Sequence, residues 1–198
     1  MTVLSEPALD TGAPRRAMID SQLRPSGVND PAVLARFAEV PREDFVPAAR
    51  RAVAYMDRAV PLGNGLVLAP ALTHGQMLSE AGLRSDDRAL VIDGGSGYLS
   101  ALLKPLVGSL DTLAPGDAAK KRKGSYTLLL IDGAIEVMPD ALTAALADGA
   151  RVVTGLIERG VTRLAVGRKA AGNVSFLTLG EADFAVLPSF ARPKSWSF

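Results

Sequence analysis

Arg88-Ala89-Leu90-Val91-Ile92-Asp93-Gly94-Gly95-Ser96-Gly97 decides the fold. It begins as a short apolar run, passes into a glycine turn, and is followed by a helical stretch. A short apolar run bounded by turn residues reads as a buried strand. The order is therefore strand, glycine turn, helix. Further along, Tyr126 to Ile131 is a second buried strand, apolar after its first two residues. Gly108–Leu113 and Arg151–Ile157 read as strands, with a helix at Ala141–Ala147 stopped by Gly149. Arg163–Val166, Val174–Leu179 and Phe184–Leu187 are strand candidates near the end. Strands alternating with helices argue for an α/β fold, a mostly parallel sheet with helices on its faces.

One link is unusual. Only about a dozen residues lie between Leu113 and Tyr126, with Pro115, Gly116 and the basic run Lys120-Lys121-Arg122-Lys123 among them. Parallel strands need a crossover of about that length or more, usually helical. The sheet is therefore either shortened here or locally antiparallel. The basic run reads as a solvated loop.

The N-terminal part is helical. Residues 1–14 look like a loose leader, and Arg15 to Leu23 turns helical. Asp30 is a natural N-cap for a helix with Pro31 in its first turn, and Val33, Leu34 and Phe37 share one face. Pro41 ends that helix. Residues 55–70 read as loops and short extended pieces. Thr73 to Ala81 is another helix, with Gly82 as its stop.

Composition narrows the function classes. The 198 residues suit one domain with a sizeable core. Lys and Arg total 22 against 21 Asp and Glu, a balance that points away from nucleic acid and from anionic membranes. With no cysteine and one histidine, a thiolate or multi-histidine metal site is excluded. No apolar run approaches the ~18 residues of a membrane span, and the N-terminus lacks a signal-peptide core. The expectation is a soluble, cytoplasmic protein.

Candidate chemistry centres on Asp93-Gly94-Gly95-Ser96-Gly97. Ligands in open α/β sheets sit at the carboxyl ends of strands, where glycines permit close backbone approach. The alternative is a turn that merely connects strand to helix. The spacing is not G-x-G-x-x-G, so a nicotinamide or flavin fingerprint is not met. A nucleophile elbow needs G-x-S-x-G, and Tyr98 stands at its last position. His74, at the start of a helix, reads as a capping or surface residue rather than a catalyst. Asp132 follows the Tyr126 strand and reads either as a helix N-cap or as part of the ligand crevice.

Several segments together resemble the protein-L-isoaspartate O-methyltransferase family. Gln22-Leu23, Gly27-Val28 and Asp30 are similar to its N-terminal signature. Val40-Pro41-Arg42-Glu43-Asp44-Phe45-Val46-Pro47 is similar to its VPRExFVP segment at every fixed position. Ala54-Tyr55, Asp57 and Pro61-Leu62-Gly63 continue the likeness. Gly95-Ser96-Gly97-Tyr98 looks like the end of its first S-adenosylmethionine motif, and Ile131 to Leu142 resembles the strand and helix that follow. The resemblance runs from about Arg15 to Val166, with a gap. It implies a Rossmann-like methyltransferase sheet with helices on both faces, shortened before Tyr126. It also implies a helical, substrate-side region over residues 15–85 and a cofactor-type core over 86–198. The activity implied is methyl transfer from S-adenosylmethionine to isoaspartyl carboxylates of damaged proteins, leading to their repair. The implied partners are isoaspartyl-containing proteins or peptides.

The resemblance also assigns residues. Val67, Leu68, Ala69 and Pro70 fall on the substrate stretch, with Leu68 at the position of a family serine that holds the substrate carboxylate. Leu68 offers no side-chain hydrogen bond, a loss of about 1.5–3 kcal/mol where the partner is charged. Val91, Asp93, Gly94, Gly95, Ser96, Gly97 and Asp132 fall on the cofactor site. The family's first motif reads E-x-G-x-G-x-G, so Val91 replaces its acid and Asp93 its first glycine. Asp93 supplies the missing carboxylate or fills the space of the methionine moiety. The acid expected at the end of the second strand aligns near Ala114, and Asp111 or Asp117 substitutes only in another register. Two principal readings follow: a weakened or retargeted methyltransferase, and a non-catalytic binding module on the same fold. A third is a nucleotide-binding domain of another enzyme class.

Overall fold

The computed structural model describes residues 11–120 and 123–192. Its strands are β1 (Val60–Gly63), β2 (Leu66–Leu68), β3 (Arg88–Ile92), β4 (Ser109–Leu113), β5 (Tyr126–Ile135), β6 (Leu146–Glu158), β7 (Val161–Ala170) and β8 (Asn173–Glu181). Its α-helices are α1 (Gly12–Met18), α2 (Pro31–Glu39), α3 (Ala71–Glu80), α4 (Tyr98–Leu103) and α5 (Asp140–Ala145). Six strands form one sheet in the order β4-β3-β5-β6-β7-β8. The first four of that order are parallel, and β7 and β8 return antiparallel. β1 and β2 form a separate hairpin.

The period-2 alternation of β3 builds the two faces. Ala89 and Val91 enter a core shared with Phe37 of α2, Leu78 of α3 and Leu99 of α4. Leu90 and Ile92 enter a second core with Leu129, Ile131, Leu142 of α5 and Phe190. Helices flank the sheet on both sides, as expected for this class. The layers are unequal, because the second face carries α5, Ala118 and the short turn Pro188–Phe190 in place of longer helices.

The link after β4 is shortened and not antiparallel. β3 lies between β4 and β5, and both pair with it in parallel. The chain makes a 3-10 turn at Pro115–Asp117, buries Ala118 in the second core and returns on the far side of β3. Among the described residues of the link, Ala118 alone is buried. Lys120 pairs with Asp117, while residues 121–122 of the basic run lie outside the described residues.

Other boundaries move. The helix expected from Arg15 begins at Gly12, inside the segment read as a leader, and residues 1–10 lie outside the described residues. Gly149 does not stop a helix. α5 ends at Ala145, and Gly149, at φ +75°, sits in an irregularity of β6 where Tyr126 pairs with Leu146 but Leu128 with Arg151. The left-handed φ of that irregularity suits glycine. Phe184–Leu187 is not a strand. It clamps the end of β5 through one bridge: Ala134 N donates to Ala185 O at 2.7 Å, and Leu187 N donates to Ala134 O at 3.0 Å. Its side chains fill the space left by glycines, since a Cβ on Gly133 would meet Leu187 at 2.5 Å and one on Gly155 would meet Phe184 at 2.7 Å. The C-terminal aromatics Trp196 and Phe198, which the sequence suggests pack down, lie outside the described residues. The Asp30 cap is as expected, its carboxylate accepting from Ala32 N at 2.8 Å and Val33 N at 3.2 Å.

Asp87 ties the base of the sheet together. It is buried, accepts from Arg84 N at 2.8 Å and from the Thr127 hydroxyl at 2.7 Å, and pairs with Arg151. Burial pushes its carboxyl up, but Arg151, Thr127 and the Arg84 amide outweigh this and hold it below the ordinary 3.8. A depressed native carboxyl contributes stability that is fully present above the unfolded value and is lost as pH falls through the native one. The urea midpoint is therefore expected to drop as pH falls below 3.8. Asp87→Asn should be less stable near neutrality and should show a shallower decline in acid. An unchanged acid slope in the variant contradicts this role.

Candidate functional site

β3 runs directly into the glycine turn. Asp93 N still bonds Leu113 O of β4 at 2.8 Å, and the chain then leaves the sheet. Gly95 and Gly97 have φ of +111° and +74°, which L side chains rarely adopt. Gly94 lies against β5 so closely that a Cβ there would sit 2.4 Å from the Asp132 carbonyl oxygen. The Asp93 carboxylate closes the turn on itself: Oδ1 accepts from both Gly95 N and Gly97 N at 3.0 Å. The Ser96 hydroxyl accepts from Tyr98 N at 3.1 Å. From outside, the β1–β2 hairpin lays Leu66 over Gly95, where a Cβ would meet its Cδ1 at 2.9 Å.

Behind the turn lies a buried polar cluster. His74 of α3 is fully buried, and its Nε2 lies 2.9 Å from Asp132 Oδ1. Its Nδ1 has no hydrogen-bond partner among the described residues. The Tyr98 ring packs beside it, at 5.6 Å between centroids. The Arg42 guanidinium also lies over that ring, 5.1 Å from the centroid. Arg42 is fully buried. Its Nε donates to Ala54 O at 2.7 Å and its Nη2 donates to Ala69 O. Burial pushes the Arg42 guanidinium below its ordinary value, with Tyr98 and Asp132 opposing. Burial also raises the Tyr98 phenol well above 10.0.

A second knot secures the N-terminal helices to this cluster. Arg15 Nε donates to the Tyr55 hydroxyl at 2.8 Å, its Nη2 pairs with Glu43 at 3.1 Å, and the Tyr55 hydroxyl donates to Glu43. Burial and the bond to Glu43 push Tyr55 to about 12. Burial pushes Glu43 up, but hydrogen bonds from Thr11 and Tyr55 and the charge of Arg15 leave it below its ordinary range.

The expected site residues are therefore distributed unevenly. Asp93, Gly94, Gly95, Ser96, Gly97 and Asp132 come together at the carboxyl edge of β3 and β5. Val91 is fully buried in the first core. Leu68 is a fully buried core residue too, Ala69 and Pro70 are buried, and Val67 is half-buried. Asp111 pairs in register with Leu90, two residues short of the sheet edge, and accepts from the Tyr126 hydroxyl at 2.6 Å. Asp117 pairs with Lys120. Neither stands at the Ala114 position. His74 is no surface or capping residue, because the turn of α3 on which it lies faces β5. Asp132 caps no helix, since it is inside β5 and α5 starts eight residues later, at Asp140. Sequence reading missed the roles of Arg42 and Tyr98. Arg42 lay within the Val40–Pro47 segment, but its carbonyl partners are 12 and 27 residues away.

Comparison with known proteins agrees with this architecture. Residues 14–115 match the model of the family "Protein-L-isoaspartate(D-aspartate) O-methyltransferase (PCMT)", a match that ends where the short link begins. A protein-L-isoaspartate O-methyltransferase 2 of Anaeromyxobacter sp. is 30% identical over 165 residues, covering 70% of this chain and 68% of that protein. A protein-L-isoaspartate O-methyltransferase of Koribacter versatilis is 28% identical, covering 87% and 90%. One from Rhodopseudomonas palustris is 36% identical over 110 residues but covers 56% of this chain and 45% of its own length. The chain thus spans about half the length of several curated relatives it matches. Among solved structures, a Plasmodium falciparum protein assigned to the same enzyme class, in complex with S-adenosyl-L-homocysteine, superposes with a TM-score of 0.73 at 15% identity, covering 88% of this chain and 98% of that one. The sheet, the glycine turn and these matches define a Rossmann-like methyltransferase fold. The chain belongs to the protein-L-isoaspartate O-methyltransferase family.

Proposed function

We propose that this chain uses S-adenosylmethionine to methylate isoaspartyl carboxylates of damaged proteins, in the cytoplasm. The observation that carries the reading is the glycine turn Gly94–Gly97, seated on Asp132 at the carboxyl edge of β3, in a chain whose first half matches the family. The backbone there suits an adenosyl cofactor: Gly94 closes against β5, and Gly95 and Gly97 add no side chain of their own to the turn, which Leu66 covers at Gly95. When bound, the cofactor supplies an electrophilic methyl group on a sulfonium. The substrate carboxylate is already an anion, so the protein's share is alignment and exclusion of water. Leu66, over Gly95, is the apolar side chain placed to exclude water. Val67, Leu68, Ala69 and Pro70 offer no side-chain donor, so any hold on the substrate along that stretch falls to the backbone. His74 is sealed by Asp132 and Tyr98 and serves packing, not proton transfer. No helix among the described residues is long and apolar enough to cross a membrane.

The second reading, a non-catalytic binding module, is favoured by one observation: Leu68, at the family serine position, is a core residue. Two measurements separate the readings. Calorimetry with S-adenosylmethionine is expected to show saturable binding at millimolar ligand or below, and its absence removes the first reading. Transfer of labelled methyl to an isoaspartyl peptide, above a heat-inactivated control, removes the second.

A further inference from the structure

We propose that β8 is a dimerisation edge, on which a second copy of this chain adds its own β8 antiparallel to make one continuous sheet; the inference is independent of methyl transfer. β8 ends the order β4-β3-β5-β6-β7-β8 and pairs only with β7 among the described residues. Its far side is therefore a row of backbone donors and acceptors open to another strand. The turn into β8 tells which residues they belong to. Ala171 and Gly172 have φ of +48° and +83°, as in the two-residue turn of a tight hairpin, and Ala170 pairs with Asn173 across it. A hydrogen-bonded pair closes such a turn, and hydrogen-bonded and non-hydrogen-bonded pairs alternate from there. Asn173, Ser175 and Leu177 thus bond to β7, while Val174, Phe176 and Thr178 direct their N–H and C=O groups outwards. The run is regular to Thr178, after which the register with β7 shifts.

Edge strands are ordinarily guarded by charge, proline or shortness. β4, the other edge, is five residues long and carries Asp111 at its middle. β8 is nine residues long, contains no lysine, arginine or proline, and holds its single charge, Glu181, at its end. It exposes Leu177 at 65% and Leu179 at 44%. Leu177 borders a cavity of about 460 Å³ together with Val153, Val166, Ser175 and Arg168. An antiparallel pair centred on Phe176 uses the regular stretch. It joins Phe176 to the second copy's Phe176 and Val174 to the second copy's Thr178, satisfying about six outward hydrogen bonds. It also sets Ser175 opposite the second copy's Leu177, so each leucine is laid at the edge of the other copy's cavity. Charge selects the antiparallel direction. Arg168, opposite Ser175 on β7, makes no ion pair among the described residues. The antiparallel direction carries the second copy's Glu181, which meets its own Arg163 at 3.4 Å, towards the Arg168 end of the sheet. A parallel direction would set Glu181 beside Glu181.

Analytical ultracentrifugation of the full chain over a concentration series tests the pairing. A pairing this short lies at the small end of specific interfaces, so a dimer with a Kd of about 1–100 µM is expected. Leu177→Lys puts two like charges on the diagonal of the pair, near Arg168, and should raise Kd about tenfold or more with an unchanged melting temperature. Val137→Lys, at an exposed apolar position after β5, should leave the dimer intact. The chain has no cysteine, so single thiols read the register. Ser175 and the second copy's Leu177 stand directly opposite, with Cα atoms about 4.5–5.5 Å apart and within disulfide reach, whereas like positions lie about 7–8 Å apart on the diagonal. Under mild oxidation, Ser175→Cys mixed with Leu177→Cys should give a covalent dimer that neither variant gives alone. A monomer at every concentration, an open series of larger species, or equal dimerisation of Leu177→Lys overturns the inference. Cross-linking no greater in the mixture than in either variant alone overturns it as well.

Discussion

Replacing Arg42 by methionine is expected to lower the free energy of unfolding by about 2–4 kcal/mol, the scale of leaving two buried carbonyls without their donor. The guanidinium is fully buried and bonds two carbonyls from distant parts of the chain, Ala54 and Ala69. Removing it leaves both acceptors without a donor, each an unsatisfied group costing about 1–3 kcal/mol. It also removes the cation from the face of Tyr98. Lysine is not a substitute, because one ammonium cannot present a planar fork to two carbonyls and stack on the ring. Urea unfolding measures the loss, and Arg42→Lys should recover less than half of it. A midpoint within error of wild type for Arg42→Met refutes this assignment.

Asp132→Ala is expected to destabilise by about 2–3 kcal/mol, because it strands His74 inside the protein. Nδ1 of that ring already lacks a partner among the described residues, and the variant removes the acceptor at Nε2 as well. Replacing both groups, in His74→Leu with Asp132→Ala, removes the polar pair as a unit. The double variant should then lose less than the sum of the two single losses, and a double-mutant cycle measures the difference. Strict additivity means that the pair contributes no coupling. The same variants report on the turn, since Gly94 rests on Asp132. Loss of adenosyl binding in Asp132→Ala alone, at a temperature where the fold is intact, ties the pair to the placement of the turn.

Much of the architecture was legible in the chain. β3, β5 and the turn between β3 and α4 were readable because buried strands are apolar runs and glycines punctuate them. The capped helix at Asp30 was readable because a cap acts within three residues. The errors fall where distant partners decide. Phe184–Leu187 has the composition of a strand, yet among the described residues its backbone bridges only the end of β5, and its aromatic and aliphatic side chains fill glycine notches of β5 and β6. Gly149 looks like a helix stop because the local signal is the same for a C-cap and for an irregular strand with positive φ.

The candidate site divides in the same way. Its location, at Asp93–Gly97 after a buried strand, was legible in the sequence, because a glycine turn after an apolar run is a matter of residue type and spacing; the readings of Leu68, Val91, Asp93 and Ala114 rest on the resemblance. Where those side chains lie was decided by the tertiary structure. Whether Asp93 opens or closes the turn depends on where its carboxylate points, and it points back at Gly95 N and Gly97 N. Whether His74 is a surface residue or a buried partner depends on which face of α3 meets β5. Arg42 looked like one residue of a motif, and only folding brings Ala54, Ala69 and Tyr98 around it. Hydrogen bonds and burial join residues that the chain keeps tens of positions apart, and local pattern carries no record of them.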